Sequence, residues 1–324
     1  MGDILHRWRG RWILLTAVIV ILAVFPIAGA PRSWLLYLFL FFIYLSMANM
    51  WNLLCGYSGL ISLCQPAFIG LAGYTLVIVS WYGLPIYLGM IIGAIVAAAF
   101  ALLISIPVFR LRGIYFAIGT LVVPEALKYL FLLWRPIGGT LHGGGAGYVL
   151  KGATEFSATE VYWLALGIVI ASGFCMRIIL HSSLGLGLAS IRDNDRTAAS
   201  SGINVFKLKL YSFVIGAIVT GIAGTIFYIY QSYIEPTSAF SVRWTMTLIL
   251  ATVIGGMSTE GGPIFGTVIV VFLHFLLARY AGINLIIQGT LLVAMMLLVP
   301  EGMMGLVRGL RRYRFLAQGA AKKG

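Results

Sequence analysis

The sequence predicts an all-α fold, a polytopic membrane bundle of about ten transmembrane helices, and three observations carry that reading. Of its 324 residues, 61% are hydrophobic and 10% are charged, against about 25% charged in an ordinary globular domain. Mean hydropathy is +1.01. Apolar stretches of roughly 17 to 25 residues recur along the whole chain, each long enough to cross a hydrocarbon core of about 30 Å as a helix. These stretches are apolar on all sides and rich in Leu, Ile, Ala and Gly, so helices are the way their backbone polar groups are satisfied in lipid; a barrel would need short alternating strands.

In chain order, spans are expected near 12–29, 34–54, 60–80, 86–108, 114–134, 161–180, 210–230, 243–258, 263–280 and 285–300, all within one domain over 1–324. With both termini in the cytoplasm, the inner segments are 1–11, 55–59, 109–113, the long loop 181–209, 259–262 and a basic tail, 301–324. On that side fall 16 of the 22 Lys and Arg residues, among them Arg7, Arg9, Arg11, Arg110, Arg112, Arg192, Arg196, Lys207, Lys209 and the tail cluster Arg308, Arg311, Arg312 and Arg314. The positive-inside rule therefore supports an even span count in this orientation. The net charge of +13 is a topology signal rather than the footprint of a nucleic acid. The first span has a second reading, because Arg7 to Arg11, the apolar run 13–25 and Ala28-Gly29-Ala30 resemble a cleavable signal peptide. Pro31, directly after the small triplet, disfavours cleavage. Ten spans divide into two fives, and an odd number per half makes the halves cross in opposite senses. That parity permits a 5+5 inverted repeat, the arrangement that often puts a solute path between halves, although no stretch of the first half aligns convincingly with the second.

Two helices are interrupted. Residues 55–75 carry Gly56, Gly59, Pro66, Gly70 and Gly73 with Ser58, Ser62 and Gln65 among them, and residues 254–267 carry Gly255, Gly256, Gly261, Gly262, Pro263 and Gly266. Such breaks free backbone groups, which a membrane tolerates only where they are buried in protein or line a wet cavity. Ser58, Ser62, Gln65, Gly255 and Gly256 are therefore candidate pathway residues; for any single glycine the competing reading is close helix packing. Intramembrane charge is scarce. Glu125, beside the helix-weakening Pro124 and one turn from Lys128, joins the candidates, with an internal partnership with Lys128 as the plain alternative.

The inner loop 181–209 contains a stretch, Leu188 to Ser201, whose residues suit a short helix ended by Gly202 in the left-handed conformation. It reads either as a dock for a soluble subunit or as a solvated connector. The sequence has no GxxxxGK[ST] phosphate loop, so ATP power by the usual route has to come from another chain. There is also no HExxH, no CxxC and no Ser/His/Asp set; His6, His142, His181 and His274 are scattered, and Cys55, Cys64 and Cys175 lack metal-binding spacing. A membrane-embedded enzyme, a metal site and structural disulfides are disfavoured.

Several segments together resemble the permease subunits of branched-chain amino-acid ABC importers, and within them the LivM-like member of the pair. They are GYSGLISLCQPAFIGLAGYT at 56–75, LRGIYFAIGTLVVPEALKYL at 111–130, GLGLASIRDNDRTAASSGINVFKLKLYSF at 185–213, IAGTIFYIYQSYIEPTSAF at 222–240, VIGGMSTEGGPIFGTVI at 253–269 and VPEGMMGLVRGLRRY at 299–313. The resemblance implies that 185–207 is the segment that rests on an ATPase, with Arg192, Asp193, Asp195, Ala198 and Gly202 at positions matching the family pattern. It further implies a second, homologous permease, two cytoplasmic ATPase subunits carrying ATP and Mg, an extracytoplasmic solute-binding protein and a bacterial inner-membrane location, with no cofactor in this chain. Departures lie at Leu60, where the family usually shows Gln, and at Cys64-Gln65, where it shows Gly-His. Leu, Ile or Val is the first-choice solute, with urea, short amides, aromatic acids and, more distantly, pentoses as alternatives. An ion-coupled carrier or channel acting alone is the competing class, and Glu125 is the one candidate group for it.

Overall fold

The computed structural model describes residues 16–29, 31–135, 144–277, 281–298 and 302–305. Long apolar runs form helices, and Pro, Gly and Ser punctuate them. The helices are α1 (residues 16–24), α2 (Arg32–Asn52), α3 (Gln65–Trp81), α4 (Ile86–Val108), α5 (Ile114–Leu133), α6 (Ala158–Leu180), α7 (Ser183–Asp193), α8 (Asp195–Ser200), α9 (Val205–Gln231), α10 (Pro236–Ala239), α11 (Val242–Gly255), α12 (Gly262–Leu277) and α13 (Ala281–Leu298). Two short strands, β1 (Tyr148–Val149) and β2 (Tyr233–Ile234), pair antiparallel with Tyr148 opposite Ile234. Pro31 and Pro85, which have no N–H to leave unsatisfied, stand directly before α2 and α4. α6 opens on a capping box: the Glu160 N–H donates to Ser157 Oγ at 3.2 Å, and the Ser157 N–H donates to Glu160 Oε2 at 2.7 Å.

The all-α expectation and its multi-pass character hold. Among the described residues, seven helical stretches are long and apolar enough to cross a membrane: α2 with the turn that extends it, α4, α5, α6, α9, α10 with α11, and one that includes most of α13. Two further expected spans come out shorter. α3 has 17 residues and α12 has 16. The reason in α3 is the helix break, since 59–64 is irregular and the helix starts only at Gln65. The expected span 12–29 falls partly outside the described residues, as do the N-terminal basic cluster and the tail from Leu306.

Helix α2 is the hub, packed against α6, α9, α11 and α12. Its Phe42, Ile43, Met47, Met50 and Trp51 are almost wholly buried. Lipid is as apolar as these side chains, so close packing rather than water exclusion holds the helices together. Where α3, α4 and α9 meet, a Cβ on Gly221 would stand 2.9 Å from the Ala97 Cβ, and one on Gly224 3.0 Å from the Ile69 Cα. A hydrogen bond from Asn49 Nδ2 to Ser172 Oγ, 3.2 Å, joins α2 to α6 inside the bundle. Near β1 and β2, the rings of Tyr74, Phe131, Trp134, Tyr148 and Phe240 form one cluster with centroids 4.2 to 6.3 Å apart, binding α3, α5 and α10 together.

Candidate functional site

α7 and α8 lie at one end of the bundle, and β1 and β2 lie at the other. At the α7 end, α2 widens into a π-helical turn, Leu53–Tyr57, which loosens the regular hydrogen-bond ladder. The freed Gly56 carbonyl accepts from Ser258 Oγ at 2.6 Å and from an Arg192 guanidinium nitrogen at 3.2 Å. That same Arg192 nitrogen donates to Ser258 Oγ at 2.7 Å. Asn52 closes the set: its Nδ2 donates to the Thr259 carbonyl at 2.9 Å, and its Oδ1 accepts from the Ser258 N–H at 3.0 Å. The two interrupted helices thus meet each other, and Arg192 of α7 reaches back to both. A Cβ at Gly56 would fall 2.3 Å from Asn52 Oδ1 and 2.7 Å from the Ser258 nitrogen, so this junction requires glycine.

The irregular strand 59–64 is also tied down from three sides. Trp51 Nε1 donates to the Ser62 carbonyl at 2.9 Å, the Leu63 N–H donates to Thr120 Oγ1 at 3.0 Å, and Thr245 Oγ1 donates to the Leu63 carbonyl at 3.4 Å. Helices α2, α5 and α11 therefore each supply a side chain to backbone that has left helical geometry, which is how non-helical chain survives at membrane depth. Glu260, in the turn between α11 and α12, lies 3.6 Å from Arg177 and 3.9 Å from His181 at the end of α6.

Among the candidate pathway residues, Ser58 is buried, donates to the Leu54 carbonyl at 2.6 Å, and borders a groove of about 780 Å³ that runs under α7 and α8. Ser62 and Gln65 are buried, and Gln65 Oε1 has no hydrogen-bond partner among the described residues. Gly255 and Gly256 are buried in the tight turn between α11 and α12: a Cβ on Gly255 would stand 1.8 Å from the Gly262 carbonyl oxygen, and Gly256 has a φ of 111°. Ser58, Gly255 and Gly256 lie at the α7 end, whereas Ser62 and Gln65 flank Leu63, whose carbonyl accepts from Thr245, about three turns along α11 from Gly255. Glu125 is elsewhere, ion-paired with Lys128, on the wall of a separate cavity toward the opposite end.

The loop 181–209 is helical, as expected, but in two pieces. Asn194 leaves helical geometry at φ −163° and caps α8, its Oδ1 accepting from the N–H groups of Arg196 and Thr197 at 2.9 and 3.2 Å; a side chain that competes for backbone amides breaks the expected single helix. Gly202, φ 85°, ends α8 in the left-handed region as expected. The five loop residues have different settings. Asp193 is exposed and 3.6 Å from Arg192, Asp195 is half-buried and paired with Lys209, Ala198 is buried, and Arg192, itself partly exposed, bonds back to Gly56 and Ser258 through its guanidinium.

Two adjoining cavities occupy the other half. One, of about 430 Å³, is bordered by Tyr44, Glu235, Arg243, Trp244 and His274; the other, of about 400 Å³, by Glu125, Lys128, Val242, Met246 and Leu292. Thr237, Ser241, Arg243 and Gln288 belong to both. Sequence reasoning passed over Glu235, Arg243 and Asn52. The available signals were a charge at the outer edge of a span, against the positive-inside trend, and an amide near the end of an apolar run.

Residues 33–300 match the family described as branched-chain amino acid transport system / permease component. The chain belongs to this family. The LivM permease of the high-affinity branched-chain amino acid transport system of Escherichia coli K12 is 29% identical over 306 residues, covering 86% of this chain and 71% of that protein. A probable LivM permease of Methanocaldococcus jannaschii is 26% identical over 61% of this chain and 56% of its own. The ribose import permease RbsC of E. coli K12 is 28% identical over 56% of this chain and 59% of its own. No solved structure matches the chain. Family membership and the apolar helices make this protein a multi-pass membrane permease component.

Proposed function

We propose that this chain is the LivM-like half of an ATP-driven importer of branched-chain amino acids in a bacterial inner membrane. It forms one side of the path, and a second homologous permease forms the other. Two cytoplasmic ATPases, carrying ATP and Mg, press on 185–207, and a periplasmic binding protein delivers leucine, isoleucine or valine. The observation that carries the coupling part is the Arg192 bridge. A helix pair on the surface is bonded through one guanidinium to both helix breaks, so a push on α7 moves the polar junction between them as a rigid body. In this reading the α7 end is cytoplasmic, Ser58, Gly255 and Gly256 belong to the inner gate, and Ser62, Gln65 and Glu125 belong to the path above it.

Ten spans follow if residues 12–29, α3 and α12 are counted with the seven longer stretches, with both termini inside. What supports a 5+5 repeat is the packing itself. α3 packs on α4, α9 and α5, and α11 packs on α12, α2 and α13. Exchanging α2 with α9, α3 with α11, α4 with α12 and α5 with α13 maps each of these contacts onto the other, as an inverted pair of halves requires.

The test is reconstitution of the permease pair, ATPases and binding protein in vesicles. ATP-dependent leucine uptake is the expected result, and gradient-driven uptake by this chain alone would overturn the reading in favour of a stand-alone carrier. Likeness to a ribose permease makes cargo the point to measure, so urea, amides, aromatic acids and ribose belong in the same assay.

A further inference from the structure

Helix α11 has 14 residues, about 21 Å of rise, so it crosses a core of about 30 Å only together with α10, which precedes it in the stretch Pro236–Gly255. Arg243, its second residue, lies about 18 Å of helix rise from Gly255, inside the stretch Pro236–Gly255 that is long and apolar enough to cross a membrane. A charge inside a span is normally paired. Lys128 and Glu125 satisfy one another across one turn of α5. Arg243 and Glu235 do not: among the described residues neither forms an ion pair, yet both border the same cavity of about 430 Å³. That volume lies in the range of about 300–1,000 Å³ usual for small-molecule sites. Hydroxyls of Ser238, Ser241 and Thr247 share its wall, and the adjoining cavity adds the apolar Val242, Met246 and Leu292.

An acid and a base left unpaired beside one cavity, with hydroxyls between and an apolar pocket alongside, complement a small zwitterion with an aliphatic side chain. We propose that these cavities form a transient site for a free α-amino acid, with the ammonium on Glu235, the carboxylate on Arg243 and the side chain against Val242, Met246 and Leu292. A planar guanidinium can hold a carboxylate through two parallel hydrogen bonds. The site rests on the branched-chain cargo reading and gives it residues: recognition of the amino-acid backbone occurs inside the permease, in addition to selection outside it.

The test introduces Thr237→Cys on the cavity rim of the full-length chain, within the assembled permease and ATPase complex in vesicles. A membrane-impermeant thiol reagent labels it, against the same complex without the new cysteine as background. Leucine is expected to slow labelling, whereas leucinamide, which lacks the carboxylate, and 4-methylpentanoate, which lacks the ammonium, are expected not to. Arg243→Gln or Glu235→Gln is expected to raise the leucine concentration for half-protection about tenfold, the loss of one charge-assisted hydrogen bond. Equal protection by leucinamide, or unchanged protection in both variants, would overturn the site. ATP-driven leucine uptake by the same complex separates the two readings: uptake without protection overturns the site alone, and absence of uptake overturns the cargo reading and the site with it.

Discussion

The two ends of the bundle treat polar groups in opposite ways. At the α7 end, Asn52, Gly56, Arg192, Ser258 and Thr259 satisfy one another in a glycine-lined contact with no room for a methyl group. In the half near β1 and β2, Glu235 and Arg243 border open volume and form no ion pair among the described residues. The difference is one of pairing rather than of open volume: at the α7 end the groups of the two helix breaks bond to one another even though a groove of about 780 Å³ runs beside them, whereas at the other end an acid and a base border a cavity without an ion pair among the described residues. In the proposed importer, a contact made of protein-protein bonds can be exchanged for another arrangement without leaving buried groups unmet.

The hardest blow to that contrast is Gly255→Ala. Its new Cβ would collide with the Gly262 carbonyl, which is backbone and has no rotamer to give. Loss of about 3 kcal/mol or more is expected, read as a large fall in melting temperature and in the yield of assembled complex. Near-normal stability would mean that the α7 end is looser than its geometry. Gly56→Ala is expected to cost less: the Asn52 side chain can swing away at the expense of its two bonds to 258 and 259, but the Ser258 backbone nitrogen, 2.7 Å from the new Cβ, must also shift.

Arg192→Gln comes next. It removes the bonds to the Gly56 carbonyl and Ser258 Oγ while Asn52 still joins the breaks, so the bundle is expected to fold with a loss of about 1–3 kcal/mol. The functional signature is a higher ratio of ATP hydrolysed to leucine taken up, because the push on α7 no longer reaches the junction. An unchanged ratio would confine Arg192 to a structural role. Asp193→Lys is smaller again. Its carboxylate is exposed, so folding should be unaffected while co-purification with the ATPases weakens several-fold. It is the cleaner variant of the two loop acids, because its contact with Arg192 is long, 3.6 Å, and its carboxylate is 76% exposed, whereas Asp195 is held closely by the largely buried Lys209.

Much of this was legible in the residues. Hydropathy and Pro/Gly punctuation located most helices, the glycine clusters located both breaks, and Gly202 located the end of α8. What hydropathy does not carry is which break meets which: Asn52 and Ser258 are 206 residues apart, and an Asn near the end of an apolar run has no visible partner until the helices are stacked. Asn194 was read as one more helical residue because its competition for the amides of 196 and 197 is a matter of local geometry, not of pattern. Glu235 and Arg243 escaped because a span-by-span reading places them in a connector and at a helix start. Only the joining of α10 to α11 in one apolar stretch, Pro236–Gly255, puts Arg243 inside a span.

The smallest expected effect is at Gly289, and it sharpens the contrast most directly because the same chemical change gives the opposite result. Gly289 of α13 borders the cavity beside Glu125, and a Cβ there would meet nothing within 4 Å. Gly289→Ala should therefore alter stability by no more than about 0.5 kcal/mol, where the same methyl at Gly255 is expected to be ruinous. Enlarging the residue then probes function without confounding it with folding: Gly289→Leu is expected to preserve melting temperature and assembly while lowering leucine uptake, since the branched side chain occupies volume otherwise left to the solute. Uptake at the wild-type rate with Leu in place would remove this cavity from the path, and a fall in stability with Ala would show the outer half to be as tightly closed as the inner end.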